Sequence, residues 1–172
     1  MTGLGWEQDV FARIKSGGIG VAGYVPDAGL AALIDLARAD TAITDVALTS
    51  EEQGIGLCAG AWLGGQRSVL LMQSSGVGNC INMLSLQNTA RFPMVIVVAM
   101  RGEHAEFNPW QIPMGSVTQA ALELCGFKVE RVDDDNEAGD IVEAAIDLAY
   151  HGNVGVAVLL SQKLIGRKKW VE

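Results

Sequence analysis

The sequence predicts a doubly wound α/β domain, a mainly parallel sheet of about six strands with helices on both faces, and three observations lead there. Short apolar runs alternate with amphipathic stretches along the whole chain, the rhythm of repeated strand–helix units. The run from Met94 to Met100 is apolar throughout, as strands covered on both faces are. The composition is 49% hydrophobic but only 6% aromatic, with 21 glycines, which suits short helices packed closely on a sheet. The 172 residues suffice for one buried core and show no linker, repeat or low-complexity segment, so residues 1–172 read as one domain.

Taken in order, a first helix covers about Trp6 to Lys15 and ends at Gly17-Gly18, and Ile19 to Tyr24 forms a strand. Pro26-Asp27 starts a second helix that runs to about Ala39, with Asp27 as its cap and Leu30, Leu33, Ile34 and Ala37 on one face. Ile43 to Leu48 is a short strand, and Thr49-Ser50 caps a helix from Glu51 to Gly64. Ser68 to Gln73 is a strand whose turn, Ser74-Ser75-Gly76, leads into a helix from Val77 to Ala90. Pro93 opens the strand that runs to Met100, and Arg101 to Pro113 is the longest loop. A helix from Met114 to Cys125, a strand from Phe127 to Val132, a helix from Glu137 to His151 and a strand from Val154 to Leu160 complete the sheet, with a basic, peripheral tail from Ile165 to Glu172.

Charge and cysteine usage exclude several function classes. A net charge of −8 without a basic stripe argues against nucleic-acid binding. The cysteines, Cys58, Cys80 and Cys125, form no CxxC pair or His/Cys cluster, so no metal ligands are assigned, and all three read as buried apolar residues of a reduced, cytoplasmic protein. The first ten residues lack a basic-then-apolar leader, and no apolar run approaches the roughly 20 residues that span a bilayer. Asp133-Asp134-Asp135 lacks calcium-loop spacing and reads as a solvated turn.

In a doubly wound sheet, sites gather where loops leave the carboxyl ends of the strands. Four such loops hold the chemistry. Thr49-Ser50-Glu51-Glu52 opens a helix with adjacent carboxylates, which complement the helix dipole whatever else they do. Gly54, Gly56, Ala59 and Gly60 follow and allow a close approach to another surface. Gln73 to Asn79 has a Gly-x-Gly spacing without the Gly-Lys-Ser/Thr of a P-loop, and a tight strand-to-helix turn explains it equally well. Gly23-Tyr24-Val25-Pro26-Asp27 is the third. The fourth, after Met100, carries Arg101-Gly102-Glu103-His104 and Asn108-Pro109-Trp110-Gln111-Ile112-Pro113-Met114-Gly115.

Together these segments resemble the pyrimidine-binding (PYR) domain of thiamine-diphosphate decarboxylases. In that family an Asn-Glu or similar pair opens a helix and is followed by small residues and an Ala-Gly or Asp-Gly pair. Matching Ala59-Gly60 to that pair places the family's catalytic glutamate on Glu51 rather than Glu52. The resemblance implies that Glu51 hydrogen-bonds the cofactor's aminopyrimidine at N1′, that Val25 and Pro26 pack against that ring, and that Ser75, Gly76 and Asn79 lie beside it. The fourth segment resembles the matching part of sulfopyruvate and phosphonopyruvate decarboxylases. It therefore implies a small anionic 2-oxo acid substrate, with Arg101, His104 and Gln111 as the nearby cations and donors. For Arg101 an ion pair with Glu103 or a partner subunit is the competing reading, and for His104 a solvated loop.

No Gly-Asp-Gly occurs in the chain, and Gly139-Asp140 is followed by Ile141. In the family, Gly-Asp-Gly and a later Asn hold Mg²⁺ for the diphosphate. The resemblance thus implies half of a composite site. The diphosphate and Mg²⁺ would be held by a beta subunit carrying Gly-Asp-Gly…Asn, in an α₂β₂ or larger assembly. The alternatives are the PYR subunit of a split phosphonopyruvate or other 2-oxo acid decarboxylase, or a non-catalytic PYR-like binding or assembly module.

Overall fold

The structure is a computed structural model and describes residues 5–166. Six strands form one all-parallel sheet in the order β2-β1-β3-β4-β6-β5: β1 (Ile19–Tyr24), β2 (Thr44–Ala47), β3 (Arg67–Gln73), β4 (Met94–Ala99), β5 (Lys128–Val132) and β6 (Gly155–Leu160). The apolar strand read from the sequence becomes β4, paired with β3 and β6 and buried at every residue. The edge strand β2 is largely exposed and the edge strand β5 is only partly buried, and there the sequence turns polar.

Two helical layers cover the sheet. On one face, α1 (Trp6–Ser16), α2 (Ala31–Ala39) and α6 (Ala138–Gly152) pack through Trp6, Leu33 and Ile146 onto β-strand residues such as Val95 and Val158. On the other, α3 (Glu51–Leu63), α4 (Ser74–Ala90) and α5 (Ile112–Leu124) pack through Ile55, Leu84 and Leu122 onto Leu70, Ile96 and Leu159. A short α7 (Gln162–Ile165) follows β6. The two layers differ in charge. Arg13 of α1 reaches Asp140, at 3.0 Å, and Glu143 of α6. The 17 residues of α4 carry no charge at all, and α3 and α5 carry only Glu51, Glu52 and Glu123.

Several boundaries depart from expectation. Helix α2 begins at Ala31, not at Pro26-Asp27, because Asp27 spends its side chain on the Gly29 amide (2.8 Å) and so closes a turn instead of capping a helix. Ser50 stands at the N-cap of α3 but makes no side-chain cap bond. Instead Gln53 reaches back to the Thr49 amide, 3.1 Å away. Helix α4 starts at Ser74, directly after β3, so the expected loop is its first turn. The loop after β4 contains a 3-10 turn at Pro109–Gln111, and α5 starts at Ile112 with Pro113 in its first turn. Cys58 and Cys80 are buried as expected, and burial pushes their thiols up to about 11 and about 12. Cys125 is only half-buried, because it lies at the C-cap of α5, where the helix leaves the sheet. Asp133, Asp134 and Asp135 are exposed, with Asp134 accepting from the Asn136 amide. Of the expected basic tail, Ile165 packs partly against the core as the end of α7, and 167–172 lie outside the described residues. Among the described residues no helix is long and apolar enough to cross a membrane.

This topology positions the site. The strand order reverses between β1 and β3: α2 leaves β1 toward one layer and α4 leaves β3 toward the other. A crevice opens where such connections diverge, at the carboxyl ends of the strands.

Candidate active site

Glu51 is the first residue of α3 and is 9% exposed, whereas Glu52 is half-buried. Burying a carboxylate needs a donor, and Asn79, one turn into α4, gives one: its Nδ2 donates to Glu51 Oε2 at 2.8 Å. The Glu51 side chain crosses Gly76 so closely that a Cβ added there would stand 2.5 Å from Oε1 and 2.6 Å from Cδ. Gly76 is therefore a space requirement of Glu51. The glycines of α3 divide: a Cβ at Gly54 would strike Leu70 (2.8 Å to Cδ2), while Gly56 and Gly60 face open space. The close approach expected of these small residues is thus made internally by Gly54, and the outer side of α3 is left bare.

Beside Glu51, the ends of β1 and β3 and the loop after β4 are joined by side-chain amides. Gln73 Nε2 donates to Asp27 Oδ1 at 2.6 Å. Gln73 Oε1 accepts from Ser75 Oγ and from Gln111 Nε2, each at 2.7 Å. Gln111 Oε1 is buried and has no hydrogen-bond partner. Val25 is half-buried and Pro26 exposed at the mouth of β1.

Arg101 is buried and bound to Glu106, with Nε to Oε2 at 3.0 Å and Nη2 to Oε1 at 2.7 Å. The Glu106 carboxylate also accepts from the amides of Gly102 and Asn108 and from Gln162 Nε2, each within 2.9 Å. Burial alone would raise its pKa; the Arg101 guanidinium and these donors outweigh it and hold the group down to about 2. Glu103 pairs with Arg131 instead (2.8 Å), so the ion pair expected between Arg101 and Glu103 is not formed. Glu106, closer in the folded loop, has taken its place. His104 is exposed, and its amide donates to Gln162 Oε1 at 2.9 Å.

The loop is laid over the start of α5, where a Cβ on Gly115 would collide with the carbonyl oxygen of Arg101. Ser74 ties it to α4, with Oγ accepting from the Arg101 amide at 3.0 Å. Sequence reasoning missed Gln73, Glu106 and Gln162. Gln73 opened a singled-out segment but was given no role there, and its strand-end position was the available signal. Gln162 acts across 56 to 59 residues and left no local trace.

The structure thus brings Glu51, Ser75, Gly76, Asn79, Val25, Pro26 and Gln111 to one end of the sheet. Arg101 lies there too, with its guanidinium engaged internally, and His104 stands on the solvent side of the loop.

Residues 27–170 match the family model described as pyruvate flavodoxin/ferredoxin oxidoreductase, thiamine diphosphate-binding. The chain is 36% identical over 152 residues to the sulfopyruvate decarboxylase subunit alpha of Methanothermobacter thermautotrophicus, covering 88% of this chain and 92% of that one. It belongs to the sulfopyruvate decarboxylase alpha-subunit family. A sulfopyruvate decarboxylase of Methanosarcina acetivorans is 36% identical over 121 residues; the match covers 70% of this chain but 31% of that longer protein. A 2-oxoglutarate:ferredoxin oxidoreductase from Magnetococcus marinus shares the fold, with a TM-score of 0.75 at 16% identity, over 96% of this chain and 31% of that one. The six-stranded parallel sheet and this structural match bear out the doubly wound fold, and membership of the alpha-subunit family bears out the resemblance to thiamine-diphosphate decarboxylases read from the sequence. The chain is a subunit of a thiamine-diphosphate-dependent carboxy-lyase.

Proposed function

We propose that this chain supplies the pyrimidine side of a composite active site that converts 3-sulfopyruvate to sulfoacetaldehyde and CO₂. The observation that carries the reading is Glu51: a carboxylate largely withdrawn from water, fixed on one oxygen by Asn79 and given its space by Gly76. Oε2 is held by Asn79, so Oε1 is the atom available for a ring nitrogen of the cofactor, and a rigid helix start keeps it in place. When bound, thiamine diphosphate supplies the electron sink that decarboxylation of a 2-oxo acid requires. This chain's residues would orient the cofactor and exclude water: Val25 and Pro26 would border its ring, Ser75 and Asn79 would give polar contacts, and the loop after β4 would cover the substrate end.

Mg²⁺ and the diphosphate belong to a partner subunit bearing Gly-Asp-Gly…Asn, since that motif does not occur in this sequence. The uncharged α4, the bare outer side of α3 and the exposed Trp110 (75%) support a partner chain seated over this layer, in an α₂β₂ or larger cytoplasmic assembly. The longer M. acetivorans relative, of which this chain matches 31%, is consistent with two parts that act together. Arg101 serves by shaping the loop, Gln111 Nε2 is spent on Gln73, and exposed His104 is the group left to meet the substrate.

Co-expression with a Gly-Asp-Gly-bearing subunit tests the reading. The complex should consume sulfopyruvate faster than phosphonopyruvate or pyruvate, and this chain alone should consume none of them. Equal rates on all three, or full activity from this chain alone, would overturn it.

A further inference from the structure

The amide network at the strand ends has a direction, and the direction follows from chemistry. An ionised Asp27 carboxylate can only accept, so Gln73 must turn Nε2 toward it. That turns Gln73 Oε1 the other way, where it accepts from Ser75 and Gln111. Gln111 must then present Nε2 to Gln73, and its own Oε1 is left pointing elsewhere, buried and without a partner. Flipping the Gln111 amide would place two carbonyl oxygens face to face. Flipping Gln73 would place its carbonyl against a carboxylate. The arrangement is therefore fixed from the Asp27 end, and it terminates in a free acceptor.

We propose that Gln73 is a positioning residue that sets the direction of this relay, so that Gln111 offers a carbonyl oxygen to a hydrogen-bond donor of the bound ligands. The proposal rests on the reading of this crevice as the thiamine-diphosphate site. A buried acceptor left unpaired is costly, and a ligand amino or hydroxyl hydrogen removes that cost. A sulfonate or carboxylate, which only accepts, is disfavoured at the same atom. Gln111 thus meets a donor group, and the anionic end of the substrate lies away from it. Ionised 3-sulfopyruvate carries only acceptors, so the donor is an N–H of the cofactor.

The experiment uses the assembled enzyme with Gln73→Met, Gln111→Met and the double variant, each nearly isosteric with the native side chain. Thiamine-diphosphate affinity is measured by calorimetry, and kcat and KM are measured on the 2-oxo acid. Gln111→Met weakens cofactor binding about tenfold, the size of one hydrogen bond. Cofactor affinity that stays within about twofold of native in Gln111→Met overturns the proposal. Gln73→Met reproduces the defect, and the double variant is no worse than Gln111→Met, because Gln73 acts through Gln111. Multiplying effects in the double variant overturn the proposal. So does native behaviour of Gln73→Met when Glu51→Gln, assayed alongside, is inactive. A fully active Glu51→Gln overturns the underlying reading and the proposal with it.

Discussion

Asn79 Nδ2 donates to Glu51 Oε2 at 2.8 Å, joining the first turns of α3 and α4 across the end of the sheet. The bond fixes one carboxylate oxygen and leaves the other to the site. Asn79 itself is exposed, but it is the side-chain donor that the buried Glu51 carboxylate relies on. Asn79→Leu in the assembled enzyme is expected to lose about 1–3 kcal/mol of stability and about tenfold in kcat, as the loss of a hydrogen bond to a charged group implies. Steady-state kinetics beside a thermal melt checks both halves.

Gly76 is the space that Glu51 occupies. Gly76→Ala places a methyl group against Oε1 and Cδ of Glu51. The expected cost is about 1–3 kcal/mol of stability, with Glu51 displaced and activity lost. Gly56→Ala is the control: nothing stands within 4 Å of that position, and the isolated chain should be no less stable than the native one, gaining up to about 1 kcal/mol of helix propensity. Denaturant titration of the two variants compares them directly.

The loop after β4 depends on Arg101 and Glu106, whose side chains are 7% and 2% exposed. Arg101→Leu leaves a buried carboxylate unpaired and should destabilise by about 3–5 kcal/mol. A thermal melt of the variant reads this.

Acid should loosen the same loop over a defined range. The Glu106 carboxyl is held at about 2, below its ordinary 4.5. Its contribution is therefore complete above about pH 4.5 and is lost as pH falls through about 2. Glu106→Gln should flatten the fall in stability across that window, as urea melts between pH 5 and pH 2 would show.

Much of this was legible in the chain. The apolar run at β4, the strand–helix alternation and the glycine-rich helix starts carry the fold, because burial on both faces leaves a direct mark on composition. The resemblance to the PYR domain, matched at Ala59-Gly60, singled out Glu51, the carboxylate that is turned inward. What was not legible are contacts set by tertiary proximity. Asp27 looked like a helix cap because Pro26 precedes it, but Gln73, 46 residues away, and the Gly29 amide take its oxygens. Arg101 looked like an anion grip because its partner Glu106 is selected only by the folded loop and by Gln162 behind it.

The central claim is that Glu51 activates the cofactor, and Glu51→Gln in the complex with the partner subunit tests it most directly. The substitution keeps the size and an acceptor for Asn79 and removes the ionisable group. The account predicts that kcat for sulfopyruvate falls by about 10²–10⁴-fold with the complex intact. Decarboxylation at the native rate would contradict it.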